Sequence, residues 1–187
     1  MINNLKQFGR LILILLILII LPTTTYFVME SSGNSIISPS KEKVVYDLPY
    51  PGILPDHPLY FLKIIRDRVN EFLIRDDLKK AQTYLVYSDK RVSMALALAK
   101  KGKNQAAISS FSKGEKYFEK IPALLKKSKN QGNQAPSSFL EVLKLANAKH
   151  QEIIGELIKT MPEGFQNQLN QLLELNLKIK KELETLP

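Results

Sequence analysis

Apolar residues recur at intervals of three and four positions along most of the chain after residue 56, which is the period of amphipathic α-helices. In the first such segment Leu62, Ile65, Val69 and Phe72 share one face, which we expect to lie in the core. No segment alternates apolar and polar residues as a half-buried strand does. The pattern therefore predicts an all-α bundle of about five helices in antiparallel hairpins, without a sheet.

Capping residues mark the predicted ends of these helices. Asp56 is expected to cap the first helix, because a proline suited to a first helical turn follows it. Ser138 with Glu141, and Thr160 with Glu163, have the spacing of capping boxes. The predicted bounds are His57–Ile74, Asp77–Lys101, Asn104 to Pro122, a helix that begins at Ser138, and a last helix that ends near Leu183.

The second and third predicted helices form a hairpin, with Gly102 suited to the left-handed position between them. Its facing positions alternate small residues, Ala95 and Gly114, with large ones such as Phe111. This spacing is similar to one tetratricopeptide repeat, but no second copy follows about 34 residues later. We interpret the pattern as close packing of one helical hairpin rather than as a peptide-binding repeat array.

The segment KKSKNQGNQAPSS, from Lys126 to Ser138, is the long break in the helical pattern. Its Lys, Asn, Gln and Gly content predicts an exposed loop and a subdomain boundary at 126–138. The sequence leaves open whether the last two helices complete one bundle or form a separate hairpin.

The N-terminal segment sets the predicted compartment. Lys6 and Arg10 precede a run from Leu11 to Leu21 that contains only Leu and Ile, and the charge-free stretch 11–29 is long enough to cross a bilayer. Because no small-residue cleavage pattern follows, residues 1–29 are predicted to form an uncleaved signal anchor. The protein is then single-pass in the cell membrane, with its N-terminus cytoplasmic and its C-terminal domain outside. A cleaved signal peptide and a secreted protein are the alternative.

Two segments connect the predicted anchor to the helical body. Residues 30–43 are polar and Ser-rich, which is typical of a flexible tether. In residues 44–56 several prolines fix φ and favour extended backbone, and the apolar residues between them favour a strap that lies against the domain. The extracytoplasmic helical domain is therefore predicted to occupy residues 44–187.

The segment LPYPGILPDHPLYFLKIIRDRV, from Leu48 to Val69, resembles the start of an uncharacterised bacterial domain family. The family carries a Pro-Gly-Ile/Leu-Leu-Pro-Asp-x-Pro-Leu-Tyr motif, found here within Pro51 to Leu62, and the resemblance continues more weakly to about Ile121. It implies a helical extracytoplasmic domain behind a signal or anchor segment. It implies no activity and no catalytic residues.

The charge balance raises one functional hypothesis, a binder of anionic polymers or lipids. The chain carries 27 Lys+Arg against 18 Asp+Glu, a net charge of +9. Such a surplus favours a polyanion binder, whose ligand is an anionic wall polymer, lipid headgroups or extracellular DNA. Nucleic acid is a disfavoured partner for two reasons. Few of the cationic residues are Arg, and the domain is predicted to lie outside the cytoplasm. The candidate polyanion contacts are Lys100, Lys101, Lys103, Lys126, Lys127 and Lys129.

The aromatic residues of the strap and the first helix favour the other hypothesis, which is the main one. In it, the domain is a binding or scaffold module for an unidentified envelope protein or polymer. The candidate partner contacts are Tyr46, Tyr50 and Tyr60, with packing into the domain's own core as the alternative role. Neither the partner nor the oligomeric state follows from the sequence.

The sequence contains little that suggests catalysis. It has no cysteine, which excludes disulfides, thiolate metal sites and cysteine nucleophiles. His57 and His150 have no neighbour at metal-ligand spacing, so a structural role is expected for both. Ser110 with Lys113 matches a Ser-x-x-Lys pattern without its companion motifs. We therefore expect no catalytic, cofactor or metal site, and a protein that is not an enzyme.

Overall fold

The computed structural model describes residues 44–186, and this range contains helices and no strand. The predicted all-α class is therefore confirmed for the described residues. The helices are α1 (Tyr60–Leu73), α2 (Asp77–Lys100), α3 (Asn104–Phe118), α4 (Ile121–Asn130), α5 (Ser137–Thr160) and α6 (Gln166–Glu184), with a 3-10 turn at Glu163–Phe165.

The predicted anchor at 1–29 and tether at 30–43 lie outside the described residues. Among the residues that the structure does describe, no helix is both long enough and apolar enough to cross a membrane. The anchor accordingly remains a prediction from the sequence.

Helices α2 and α3 form one closely packed hairpin, and α5 and α6 form a second. One apolar cluster joins Val92 of α2 and Phe111 of α3 to Ile154 of α5 and Leu169 of α6. A second cluster, nearer the opposite ends of these helices, again draws residues from both hairpins. The last two helices thus share their core with the first hairpin.

Helix α4 is a separate helix that the pattern did not predict. The third helix was predicted to reach Pro122, but it ends at Phe118, and Pro122 lies in the first turn of α4, where a missing N–H is tolerated. The loop predicted from Lys126 therefore begins later, because residues up to Asn130 are helical. Leu125 is buried, and α4 packs against α2.

Three of the predicted caps are wrong. α1 begins at Tyr60 without a side-chain cap, and Asp56 instead pairs with Lys103 at 2.7 Å. α5 begins at Ser137 without a capping hydrogen bond. Thr160 is the last residue of α5, where its hydroxyl donates to the Glu156 carbonyl at 2.9 Å. By contrast, Asp76 caps α2 by accepting the Lys79 N–H at 2.7 Å.

The α2–α3 hairpin depends on two glycines. Gly102 has a φ of 71° at the turn, in the left-handed region that the sequence predicted for it. At Gly114 a Cβ atom would lie 3.0 Å from the Ser88 carbonyl oxygen and 3.1 Å from the Arg91 Cβ. Gly114 therefore lets the backbones of α2 and α3 approach closely.

The proline-containing strap lies against three helices. The Val44 N–H donates to Glu152 of α5 at 2.9 Å, and the Ser93 hydroxyl of α2 donates to the Pro49 carbonyl at 2.7 Å. The Lys63 ammonium of α1 donates to the Pro51 carbonyl, also at 2.9 Å. The first two bonds hold the strap against the bundle, and the third joins the strap to α1.

Candidate functional site

Helix α1 turns its polar face towards the domain. Asp67 and Tyr60 are its buried residues, and both lie next to Arg91 of α2. Glu71 accepts a short hydrogen bond from the Tyr84 hydroxyl, and Asn70 donates to the Tyr87 hydroxyl at 3.0 Å. α1 is thus attached to α2 through polar and aromatic contacts.

The opposite face of α1 is apolar and exposed. Phe72 retains 86 % of its accessible surface, and the other members of this face retain more than half of theirs. We call these residues the α1 outer face: Phe61, Leu62, Ile65, Val69, Phe72 and Leu73. The predicted assignment of Leu62, Ile65, Val69 and Phe72 to the core is therefore wrong. The predicted stripe exists, but it points away from the domain.

Two arginines border the outer face. At 100° per residue, the six apolar side chains span an arc of about 120°, and Arg68 and Arg66 fall just beyond its two edges. Both arginines are exposed, although Arg66 also contacts Asp67 at 2.7 Å. A single helix therefore presents an apolar stripe between two cations, a pattern typical of helices that lie in a membrane interface. The segment IIRDRV, at residues 64–69, contains this signal. It was missed because the apolar residues of the segment were assigned to the core.

The three candidate tyrosines occupy different environments. Tyr50 is 65 % exposed, whereas Tyr60 is buried. The Arg91 guanidinium lies over the Tyr60 ring, 5.4 Å from the ring centre. The Tyr46 hydroxyl donates to Asp89 at 2.5 Å. Burial, together with the Asp89 carboxylate, raises the pKa of Tyr46 well above its ordinary value, so this hydroxyl stays protonated. Tyr50 is the candidate placed best to contact a partner directly.

The six candidate lysines are all exposed, but the structure separates them into two groups. Lys101 and Lys103 follow the last residue of α2, and both pair with Asp56, at 3.5 and 2.7 Å. Lys127 pairs at 3.0 Å with Asp77, the first residue of α2. Because α2 rises by about 1.5 Å per residue, the two groups lie roughly 34 Å apart.

A polar network that the sequence did not predict lies inside the bundle. His150 has no accessible surface, and its two ring nitrogens contact Glu115 at 2.8 Å and Asp89 at 3.0 Å. Burial alone lowers the pKa of His150, but hydrogen bonds and charges from the two carboxylates outweigh it and raise the pKa to about 9. His150 is therefore cationic at neutral pH and closed to solvent, which fits a structural role.

The Asn side chains of the network add hydrogen bonds between helices. Asn147 and Asn176 each donate to the other's carbonyl oxygen at 3.2 Å, which joins α5 to α6. Within residues 44–186, no group of three or more His, Asp or Glu side chains is arranged so that it could hold a metal ion. Nothing in the sequence pattern indicated the network, because His150 lies 35 residues from Glu115 and 61 residues from Asp89.

Comparison with known proteins gives a family and no activity. A family model described as a domain of unknown function, DUF5667, matches residues 52–186, beyond the segment in which the sequence resemblance was recognisable. No curated protein and no solved structure matches the chain.

Proposed function

We propose that this chain, which belongs to the DUF5667 family, is a non-enzymatic binding module that lies on an anionic lipid membrane through the α1 outer face. In this proposal residues 11–29 anchor the chain in the cell membrane, and the helical domain sits outside the cytoplasm. One observation carries the proposal: α1 exposes its apolar face and turns its polar face inward.

The energy available on the outer face is large enough to matter. Fully burying a Leu, Ile, Val or Phe side chain stabilises by about 1.5–3 kcal/mol relative to leaving it in water. Each residue of the outer face is more than half exposed, so contact with lipid removes a substantial part of that surface from water. Each Arg beside an anionic membrane adds roughly 1 kcal/mol. Apolar burial and charge attraction therefore act together.

The bordering charges favour lipid over a second copy of this chain. Leu62, Ile65, Val69 and Phe72 have the three–four spacing of a helix–helix seam, whose flanking positions normally carry complementary charges. Here the flanking positions hold Arg66, Arg68 and two apolar residues, and none is acidic. A second copy offers these arginines no opposite charge, whereas an anionic bilayer does.

The order of segments along the chain also fits a membrane surface. α1 is the first helix after the predicted anchor, and the predicted tether at 30–43 separates anchor from strap. Fully extended, that tether reaches up to about 50 Å. The outer face therefore stays within reach of the bilayer that holds the anchor, which raises its effective concentration there.

The lysine groups support this proposal over the polyanion alternative. A Lys-rich binder of wall polymer or DNA needs its cations to act together, but the two groups lie at opposite ends of α2. Three of the six lysines are already paired with Asp56 or Asp77. Arg66 also contacts Asp67, but both Arg66 and Arg68 lie beside the exposed apolar surface of α1.

The absence of cysteine makes a direct test practicable. Phe72→Cys in the full chain carries an environment-sensitive fluorophore, and the protein is reconstituted into phosphatidylcholine vesicles with or without phosphatidylglycerol. We expect a blue-shifted emission that lipids brominated in their acyl chains quench, more strongly with phosphatidylglycerol. Glu174→Cys, at an exposed position of α6, serves as the matched control and should stay unquenched.

Either of two results would contradict the proposal. In the first, the label at position 72 remains water-exposed in both kinds of vesicle. In the second, double electron–electron resonance between spin labels at position 72 of two chains gives a short, defined distance, which identifies a second copy as the occupant of the outer face.

A further inference from the structure

A cavity of about 260 Å³ lies between α1 and α3, on the domain side of α1. Its lining contains one carboxylate, from Asp67, and five cationic side chains. The cations are Arg68 of α1, Arg91 of α2, Lys113 and Lys116 of α3, and Lys120 between α3 and α4. Tyr60 and Tyr117 provide aromatic wall. This concentration of positive charge is separate from both lysine groups predicted from the sequence.

Arg91 is buried without an adequate counter-ion. Its side chain is 8 % exposed, and the nearest carboxylate oxygen, from Asp67, lies 3.9 Å from Nη2. The other oxygen of Asp67 is taken by Arg66 at 2.7 Å. Nη1 of Arg91 has no hydrogen-bond partner among the described residues. A buried polar group without a partner is destabilising, and more so when it is charged, so an additional acceptor would stabilise Arg91.

The neighbouring cations show the same imbalance. Within residues 44–186, no carboxylate forms an ion pair with Arg68, Lys113 or Lys116. Lys120 lies over the rings of Tyr84 and Tyr117, at 5.3 and 5.5 Å from their centres. Like charges held together in this way repel one another unless an anion joins them.

We infer that this cavity is a binding site for a phosphate group. Arginine is suited to phosphate because its planar guanidinium donates two parallel hydrogen bonds, and lysines add mobile point charges. The volume lies just below the range typical of drug-sized ligands, about 300–1,000 Å³, which suits a phosphate with a small substituent. The group can belong to a soluble phosphate ester or to a phospholipid headgroup, since both present the same chemistry to the cations.

The test is a calorimetric titration of the full chain, in a nonionic detergent, with sn-glycerol 3-phosphate and with inorganic phosphate. We expect saturable binding with one site per chain, at ionic strength held constant with chloride. Arg91→Met removes the buried cation, and Lys113→Gln with Lys116→Gln removes two exposed ones without disturbing the core. Both variants should weaken binding by at least about tenfold.

The matched control is Lys126→Gln with Lys129→Gln, which removes the same charge at exposed positions of α4. Its affinity should remain within about twofold of the parent, since it leaves the cavity intact. The inference is overturned by the lack of saturable binding, or by an equal loss in the control pair and in the Lys113/Lys116 pair.

Adding phosphatidic acid to the detergent micelles distinguishes the sources. Displacement of glycerol phosphate by the lipid identifies a headgroup site, and undiminished binding identifies a soluble ligand; either result supports the phosphate site. Arg68 borders both the cavity and the outer face, so neither test changes it, and the site does not depend on docking of the outer face. The Lys113/Lys116 pair should therefore leave quenching at position 72 unchanged, and each proposal can fail without the other.

Discussion

Tyr46 and Tyr50 lie four residues apart in the strap, and their hydroxyl groups meet different surroundings. Tyr46 donates to a carboxylate oxygen of Asp89, whose other oxygen contacts His150. Tyr46→Phe removes this donor and leaves a carboxylate oxygen unsatisfied at the edge of the buried network. We expect the free energy of unfolding to fall by about 1–3 kcal/mol, measured by urea denaturation of the full chain in nonionic detergent.

Tyr50→Phe is the control for this prediction, because it removes the same atom from an exposed side chain. Its effect should stay within about 0.5 kcal/mol, as for most surface substitutions. Equal losses in the two variants would mean that the loss does not come from the Tyr46–Asp89 hydrogen bond. Both tyrosines were predicted as equivalent candidate partner contacts. The sequence pattern cannot distinguish a hydroxyl group that donates to a buried carboxylate from one that is exposed to water.

At the scale of elements, two helical glycines, one in the α2–α3 hairpin and one in α5, give a paired prediction. Gly114→Ala places a Cβ atom against the Ser88 carbonyl and forces α2 and α3 apart, so we expect a loss of about 1–3 kcal/mol. Gly155→Ala in α5 meets no atom within 4 Å and should gain roughly 0.5–1 kcal/mol, since alanine is the better helix former. Thermal unfolding of the two variants measures both effects. A gain at position 114 would contradict the close approach of the helices.

The turn and the close packing of the α2–α3 hairpin were the most predictable features. Gly102 and Gly114 each act on neighbouring backbone, so the sequence was sufficient to suggest both. The predicted caps were wrong, because the spacing of Asp, Ser and Thr residues does not determine the residue at which a helix begins. α4 was missed because the helix has only ten residues and its second half is rich in lysine. The orientation of α1 was missed for a different reason. A hydrophobic period identifies a face, but only the polar partners on α2 decide which face points inward.

At the scale of the whole molecule, the His150 network connects both hairpins. Asp89, Glu115, His150 and Asn176 come from α2, α3, α5 and α6. In each of these helices the network residue falls between members of the two apolar clusters. An imidazolium between two carboxylates needs all its partners in place, because losing one leaves a buried charge uncompensated. The network therefore ties the relative register of four helices to one another.

The same network makes the stability of the fold depend on pH. The folded pKa of His150, about 9, lies above the ordinary 6.5, so protonation stabilises the folded state fully below pH 6.5. That contribution, roughly 3 kcal/mol at most, is lost as pH rises from 6.5 through 9. Urea denaturation of the full chain across this range should show a falling free energy of unfolding. His57→Gln, at an exposed turn, should leave the decline intact. A stability that is flat or rising between pH 6.5 and 9 would show that His150 is neutral in the folded protein.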